Sequence, residues 1–204
     1  MTTNQRADDE TLWRRAAEGD DDAFAELYRR HADRLYGYLF RRCASWALAQ
    51  DLTSIVFLEA WRRRREVCFD DGSVAGWLYG VAGNVLRTSA RSLRRHEAAL
   101  RRLPPLADVP DPADDVARRV DDEARMALVV QALEQLPVDD RELLALSVWS
   151  GLSLPEIATL LGLPVGTVKS RLSRLRARLR DDLAPSPDGP EPSPSSPRPQ
   201  GASR

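Results

Sequence analysis

Residues 152–180, LSLPEIATLLGLPVGTVKSRLSRLRARLR, decide the reading of the whole chain. They divide into a short amphipathic helix, a tight turn at Gly162-Leu163-Pro164, and a second helix that starts near Val165. In the second helix Val168, Leu172, Leu175 and Leu179 recur at the helical period and make one apolar stripe. Its other faces carry Thr167, Lys169, Ser170, Arg171, Arg174, Arg176, Arg178 and Arg180, and no acidic residue lies between Glu156 and Asp181. A packed stripe backed by an uncompensated basic face, entered through a tight turn, is the pattern of a DNA-binding helix-turn-helix. Two blander readings compete with it: a solvated arginine face, and a helix lying on an anionic membrane. The preceding helix is polar at Ser153 and Glu156 and apolar at Leu154, Ile157, Ala158, Leu160 and Leu161. That pattern makes it a packing partner rather than a membrane anchor.

A chain of 204 residues holds one medium domain or two small ones. The net charge of −1 conceals a segregated distribution. The helix-turn-helix is basic, whereas residues 108–123 hold Asp108, Asp111, Asp114, Asp115, Asp121, Asp122 and Glu123. Local patches, not the overall balance, therefore speak about partners. Lys169 is the only lysine; every other strong base is arginine. No apolar run is long enough to cross a bilayer and the start does not read as a signal peptide, so the sequence predicts a cytoplasmic protein. Cys43, Cys68, His31 and His96 lack metal-ligand spacing. The expectation is no metal or other cofactor, and two reduced, partly buried thiols.

Pattern and punctuation divide the chain further. Residues 1–9 are polar and predicted to fray. Residues 10–97 read as a run of helices, in which Ala23, Phe24, Leu27, Tyr28, His31, Leu35, Tyr38 and Leu39 keep a helical period. Leu52, Ile55, Val56, Leu58 and Trp61 keep another. Turn residues at 68–73 break the run, and Ser73 is the expected N-cap of the helix that follows. Residues 98–122 carry Pro104, Pro105, Pro110 and Pro112 among acidic residues and read as a flexible linker. A second helical block spans 123–183, broken near Leu136-Pro137 and near Gly151. Residues 184–204, rich in Pro, Ser and Gly, cannot bury a core and are predicted to be disordered. The fold class is all-α: two small helical domains joined by a flexible linker, the C-terminal one a helix-turn-helix.

With both blocks in view, the chain resembles the extracytoplasmic-function group of bacterial sigma factors, the promoter-recognition subunits of RNA polymerase, over most of residues 15–183. The stretch EGDDDAFAELYRRHADRLYGYLFRR looks like the start of that family's first domain. DLTSIVFLEAWRRR is similar to the helix that docks on core polymerase, and GWLYGVAGNVLRTSARSLRR to the segment that meets the promoter −10 element. LPVDDRELLALSVWSGLSLPEIATLLGLPVGTVKSRLSRLRARLR is similar to the domain that reads the −35 element. The resemblance implies binding to core polymerase through its β and β′ subunits, with Asp51, Ser54, Phe57, Glu59, Trp61 and Arg62 as the contact set, Phe57 and Trp61 reading equally as core packing. It also implies promoter DNA and an anti-sigma factor as partners. Ser54 and Ile55 depart from the family's Gln and acidic residue, Thr88 from a common Asp, and Ser147 from a common basic residue.

Chemistry assigns roles within these segments. The N-terminal part of a recognition helix lies nearest the base edges, which places Thr167, Lys169, Ser170, Ser173 and Arg174 within reach of bases or phosphates. Arg171 and Arg178 sit lower and favour phosphates. Arg174 either grips a guanine through O6 and N7 or only touches phosphate. On the −10 side, Arg87, Arg91, Arg94 and Arg95 form a basic stripe suited to a backbone of separated DNA, or an ordinary solvated face. Asn84, which matches an Asn of the family, can pair with both donor and acceptor edges of a base. Trp77 and Tyr79 could stack on a base, but Trp77 matches a position that packs inside. Arg62 to Arg65 read either as a docking patch for an acidic polymerase surface or as a solvated helix end.

Three function classes follow. A sigma factor would perform no covalent chemistry itself. A conventional regulator would use the helix-turn-helix alone, dimerising through its N-terminal helices, and would bind promoter DNA unaided. A recombinase would need a Ser/Arg or Tyr/Arg/His constellation, and none is found.

Overall fold

The computed structural model describes residues 7–69, 73–100 and 114–183, of which 90–100, 114–117 and 181–183 are described by backbone alone. The described residues form eight α-helices and one π-helical turn, with no strand among them. The helices are α1 (Asp9–Ala17), α2 (Asp21–Cys43), α3 (Trp46–Arg63), α4 (Val74–Leu100), α5 (Asp114–Glu134), α6 (Val138–Ala145), α7 (Leu154–Leu161) and α8 (Val165–Leu183). The π-helical turn, Leu146–Ser150, continues α6. Its buried Ser150 hydroxyl donates to Leu146 O at 2.6 Å and accepts from Leu152 N at 3.0 Å, so no polar atom of that side chain is left unmatched.

Helix starts follow local chemistry. Asp8 accepts from Thr11 N at 2.7 Å, Asp20 from Ala23 N at 3.0 Å, and Ser73 from Gly76 N at 3.0 Å. Each satisfies an orphan donor of the first turn, and Ser73 caps α4 as its position predicted. Helix α7 opens with a full capping box: Ser153 accepts from Glu156 N while Glu156 accepts from Ser153 N.

The N-terminal bundle packs α1 to α4 around Leu12, Trp13, Leu27, Leu35, Tyr38, Leu39, Leu52, Val56 and Leu78. Trp13 anchors α1: its indole donates to Val67 O at 3.0 Å and its ring meets Phe69 and Trp77 edge-on. The C-terminal unit packs Leu143, Leu146, Ile157, Ala158, Val168, Leu172 and Leu175. The two units also touch. Arg34 donates to Ser150 O at 3.1 Å, Trp46 N to Glu123 at 2.6 Å, and Ser73 to Glu156 at 2.7 Å.

Several expectations change. Residues 98–100 belong to α4, and α5 begins at Asp114 rather than near residue 123. After Pro112 no proline intervenes until Pro137, and Asp114 and Asp115 suit the positive end of a helix. Of the expected linker, residues 101–113 lie outside the described residues, as do residues 1–6 of the N-terminus and the tail from 184. Cys68 is exposed rather than partly buried, because it follows α3 at the surface; Cys43 is partly buried. Ile55 and Leu58, although in the apolar period of α3, are 46% and 49% exposed.

Two backbone positions of opposite character make a stability test. Gly162 ends α7 at φ +64, and a Cβ there would meet nothing within 4 Å, so Gly162→Ala pays only for left-handed backbone, about 1 kcal/mol. Ala44 ends α2 at φ +52 without being glycine, so Ala44→Gly should gain roughly 0.5 kcal/mol. Denaturant midpoints moving in opposite directions check both. A second test concerns pH. Burial raises the Glu156 carboxyl, but hydrogen bonds from Ser73 and Ser153 outweigh it and hold it below its ordinary value of 4.5. A depressed carboxylate stabilises the fold above its unfolded-state pKa and loses that contribution as pH falls through the folded value. Glu156→Gln should therefore flatten the acid limb of a stability–pH curve.

Candidate nucleic-acid interface

Helix α8 is held by three side chains: Val168, Leu172 and Leu175 are 0%, 2% and 5% exposed. A 3.6-residue period then fixes what the helix offers outward. The crest opposite the stripe is Gly166, Ser170, Ser173 and Ala177, all small and exposed. One flank carries Thr167, Arg171, Arg174 and Arg178; the other carries Lys169, Arg176 and Arg180. A low crest between two basic flanks suits a helix seated deep in a groove with cations toward both phosphate walls.

The flanks are not equivalent. Arg171, Arg174 and Arg178 line a cleft of about 430 Å³ with Pro137, Asp139 and Asp140, the two aspartates lying in the first turn of α6. Carboxylates there draw on the positive potential of that flank alone. Ser170 donates to Thr167 O at 3.0 Å, and Arg174 Nε to Ser170 O at 3.4 Å, so both rest against the helix backbone.

The N-terminal bundle brings two expected sets into one groove. Asp51 and Glu59 of α3 and Asn84 and Thr88 of α4 line a cleft of about 530 Å³, with Ile55 on its rim. Asn84 is exposed and its Oδ1 accepts from Arg87 Nη2 at 2.7 Å. Arg87 also pairs with Glu142 of α6 at 2.9 Å. Backbone places Arg91, Arg94 and Arg95 further along α4, where their side chains lie outside the described residues.

In the polymerase-contact set, Asp51, Ser54 and Arg62 are exposed, and Glu59 and Trp61 are partly so. Ser54 turns its hydroxyl to Gln50 O at 3.1 Å, as a short hydroxyl side chain within a helix does. Phe57 is 5% exposed and packs on Phe24 and Tyr28, so it supports the surface rather than presenting itself. Arg64 is taken up internally, lying 3.5 Å over the Trp61 ring and donating to Ala16 O. Trp77 is partly buried against Trp13, and Tyr79 is buried against Tyr38; both are core. Sequence reasoning missed Tyr28, Ile55 and Leu58 as exposed apolar groups near this face, because each sits in an apolar period that reads as core.

A basic helix-turn-helix joined to a helical bundle with a groove between its last two helices defines a two-module DNA-binding protein of transcription. Residues 27–96 match the family Sigma-70 region 2, and residues 126–179 match Sigma-70, region 4. The RNA polymerase sigma factor CarQ of Myxococcus xanthus is 34% identical over 171 residues, covering 82% of this chain and 92% of CarQ. The ECF RNA polymerase sigma factor SigE of Mycolicibacterium smegmatis is 34% identical over 172 residues, covering 82% of this chain but 65% of SigE. The structure of CnrH in complex with the cytosolic domain of CnrY superposes with a TM-score of 0.62 at 28% identity, covering 86% of this chain and 96% of CnrH. The chain belongs to the extracytoplasmic-function group of the sigma-70 family, the promoter-recognising sigma factors of RNA polymerase.

The asymmetry of α8 is open to test. Asp139→Asn with Asp140→Asn should raise affinity for duplex DNA at low salt by about two- to ten-fold, since two carboxylates leave the phosphate-facing flank. The same change removes favourable charge from the α6 N-terminus and should lower stability by about 0.3–1 kcal/mol per residue. Anisotropy titrations and melting curves read the two effects separately.

Proposed function

We propose that the chain docks on core RNA polymerase through α3, holds the −10 element along α4 and reads the −35 element with α8. Polymerase supplies the covalent chemistry; the chain supplies position. The observation that carries this reading is the low crest of α8 between two arginine-bearing flanks, fixed by the buried Val168, Leu172 and Leu175. Ser170 and Ser173 on the crest take the base-edge side, Thr167, Lys169 and Arg174 reach bases or phosphates from the flanks, and Arg171 and Arg178 take phosphates. Arg174, on the flank rather than the crest, reaches a guanine only by leaning across the groove wall, which its length permits.

On the −10 side, Asn84 and Arg87, with Arg91, Arg94 and Arg95 further along α4, handle the opened strand. Asp51, Ser54, Glu59, Trp61 and Arg62 form the polymerase face, with Phe57 beneath them and Ile55 and Leu58 adding apolar area beside them. The domains of this reading are the N-terminal bundle that ends with α4 and the C-terminal unit that starts with α5. No described helix is long and apolar enough to cross a membrane, and work alongside polymerase places the chain in the cytoplasm. An anti-sigma partner belongs to the same reading.

Transcription in vitro with purified core polymerase on a promoter library tests the whole. Initiation at defined start sites only when the chain is added is the expected result; none at any promoter refutes it. Within that assay Arg171→Ala should weaken binding to every sequence and reduce the salt slope by up to about one. Arg174→Ala should instead relax preference at one −35 base pair by about 1–3 kcal/mol. An equal loss on all −35 variants refutes the Arg174 assignment.

A further inference from the structure

The cleft between α3 and α4 holds more than its polar lining. Leu52 and Val81 are buried at its floor, Leu48 and Val85 are partly buried along its sides, and Ile55 stands 46% exposed at its rim. On α3 the lining runs from Leu48 to Arg63, about 22 Å along the helix axis. The space, about 530 Å³, is that of a small-ligand site, and its length suits a chain-like molecule. Apolar side chains that face water along such a groove gain when a hydrocarbon displaces that water.

Charge in the groove is one-sided. Glu59 is paired with Arg63 at 3.2 Å. The Asp51 carboxylate, exposed on the same lining, has no ion pair or hydrogen bond among the described residues. Thr88 donates its hydroxyl to Asn84 O at 3.0 Å, so what its oxygen still offers is an acceptor. An unpaired carboxylate and an acceptor hydroxyl match an ammonium, which brings three donors and a positive charge. A carboxylate or phosphate ligand would meet Asp51 as a like charge.

We propose that the α3–α4 cleft binds a small linear alkylamine, its ammonium at Asp51 and its hydrocarbon chain along Leu52, Ile55 and Val81. The same lining carries Asp51 and Glu59 of the polymerase face and Asn84 of the −10 set. Occupancy and polymerase docking therefore exclude one another, a consequence that, unlike the binding itself, rests on the docking face proposed above.

The chain has two isoleucines: Ile55 lines the groove, and Ile157 is buried in the C-terminal unit. A spectrum of the full chain with isotope-labelled isoleucine methyl groups thus reports the site beside an internal reference. Octylamine, kept below micelle-forming concentrations, should shift the Ile55 signal and leave Ile157 in place. Hexylamine and then butylamine should bind roughly ten-fold more weakly for each two methylenes lost. Octanoate, of opposite charge, should bind about five-fold or more weakly than octylamine. Asp51→Asn should remove most of that preference and Asp51→Lys should reverse it; the position is exposed, so neither change threatens the fold. An Ile55 signal unmoved at about 10 mM octylamine, equal shifts from octylamine and octanoate, or a preference that survives Asp51→Lys overturns the proposal. With octylamine at about ten times its dissociation constant, the apparent Kd for core polymerase should rise roughly ten-fold. Binding at Ile55 without that rise leaves the site in place and puts the fault in reading α3 as the docking face.

Discussion

The seating of one helix governs most of what this molecule can do. Val168, Leu172 and Leu175 are driven out of water against Ile157, Leu143 and Leu146, each burial worth about 1.5–3 kcal/mol. Three buried residues on one helix determine its rotation as well as its position. Once rotation is set, the period of the helix decides that small residues face outward and arginines stand at either side. The left-handed Gly162 then fixes the angle at which α7 hands the chain to α8. Recognition chemistry is thus a by-product of apolar packing on the opposite face. A lost methyl group in that stripe would be felt by DNA that never touches it.

Charge in this chain serves three separate ends. Arg15, Arg30, Arg63 and Arg64 are spent within the N-terminal bundle on Asp20, Asp9 with Glu26, Glu59, and the Trp61 ring respectively. Such pairs at the surface are worth little in stability, but they remove those arginines from any outward role. Helix α8 carries no acid from Val165 to Arg180, and the carboxylates lining the cleft beside its arginine flank come from α6. A near-neutral chain is therefore able to present one strongly basic edge. The links from Arg34 and Arg87 to the C-terminal unit belong to a third kind: exposed enough to be broken, close enough to hold.

Much of the architecture was legible in the order of residues. The stripe of α8, the turn at Gly162, the cap at Ser73 and the breaks near Pro137 and Gly151 follow from periodicity and from residues with restricted backbones. Resemblance added the two DNA-reading segments and the docking helix. Other features were not legible, for physical reasons. The start of α5 at Asp114 was hidden by acidic composition, which looks like a linker although the prolines stop at Pro112. Exposure of Tyr28, Ile55 and Leu58 was hidden because an apolar residue at a helical spacing does not say which neighbour is missing. Burial of Phe57 and the pairing of Arg87 with Glu142 depend on contacts 33 and 55 positions distant in the chain, between elements whose mutual placement no local pattern encodes.

The scarcity of lysine has a practical side. Lys169 is the chain's single lysine, and it stands exposed on the flank of α8 away from the two aspartates. Among the described residues every ion pair of the fold uses arginine or histidine as its cation. Acylating chemistry, enzymatic or reagent-driven, thus meets only one side-chain amine. Modifying it would erase a positive charge at the groove wall while sparing every pair that supports the scaffold.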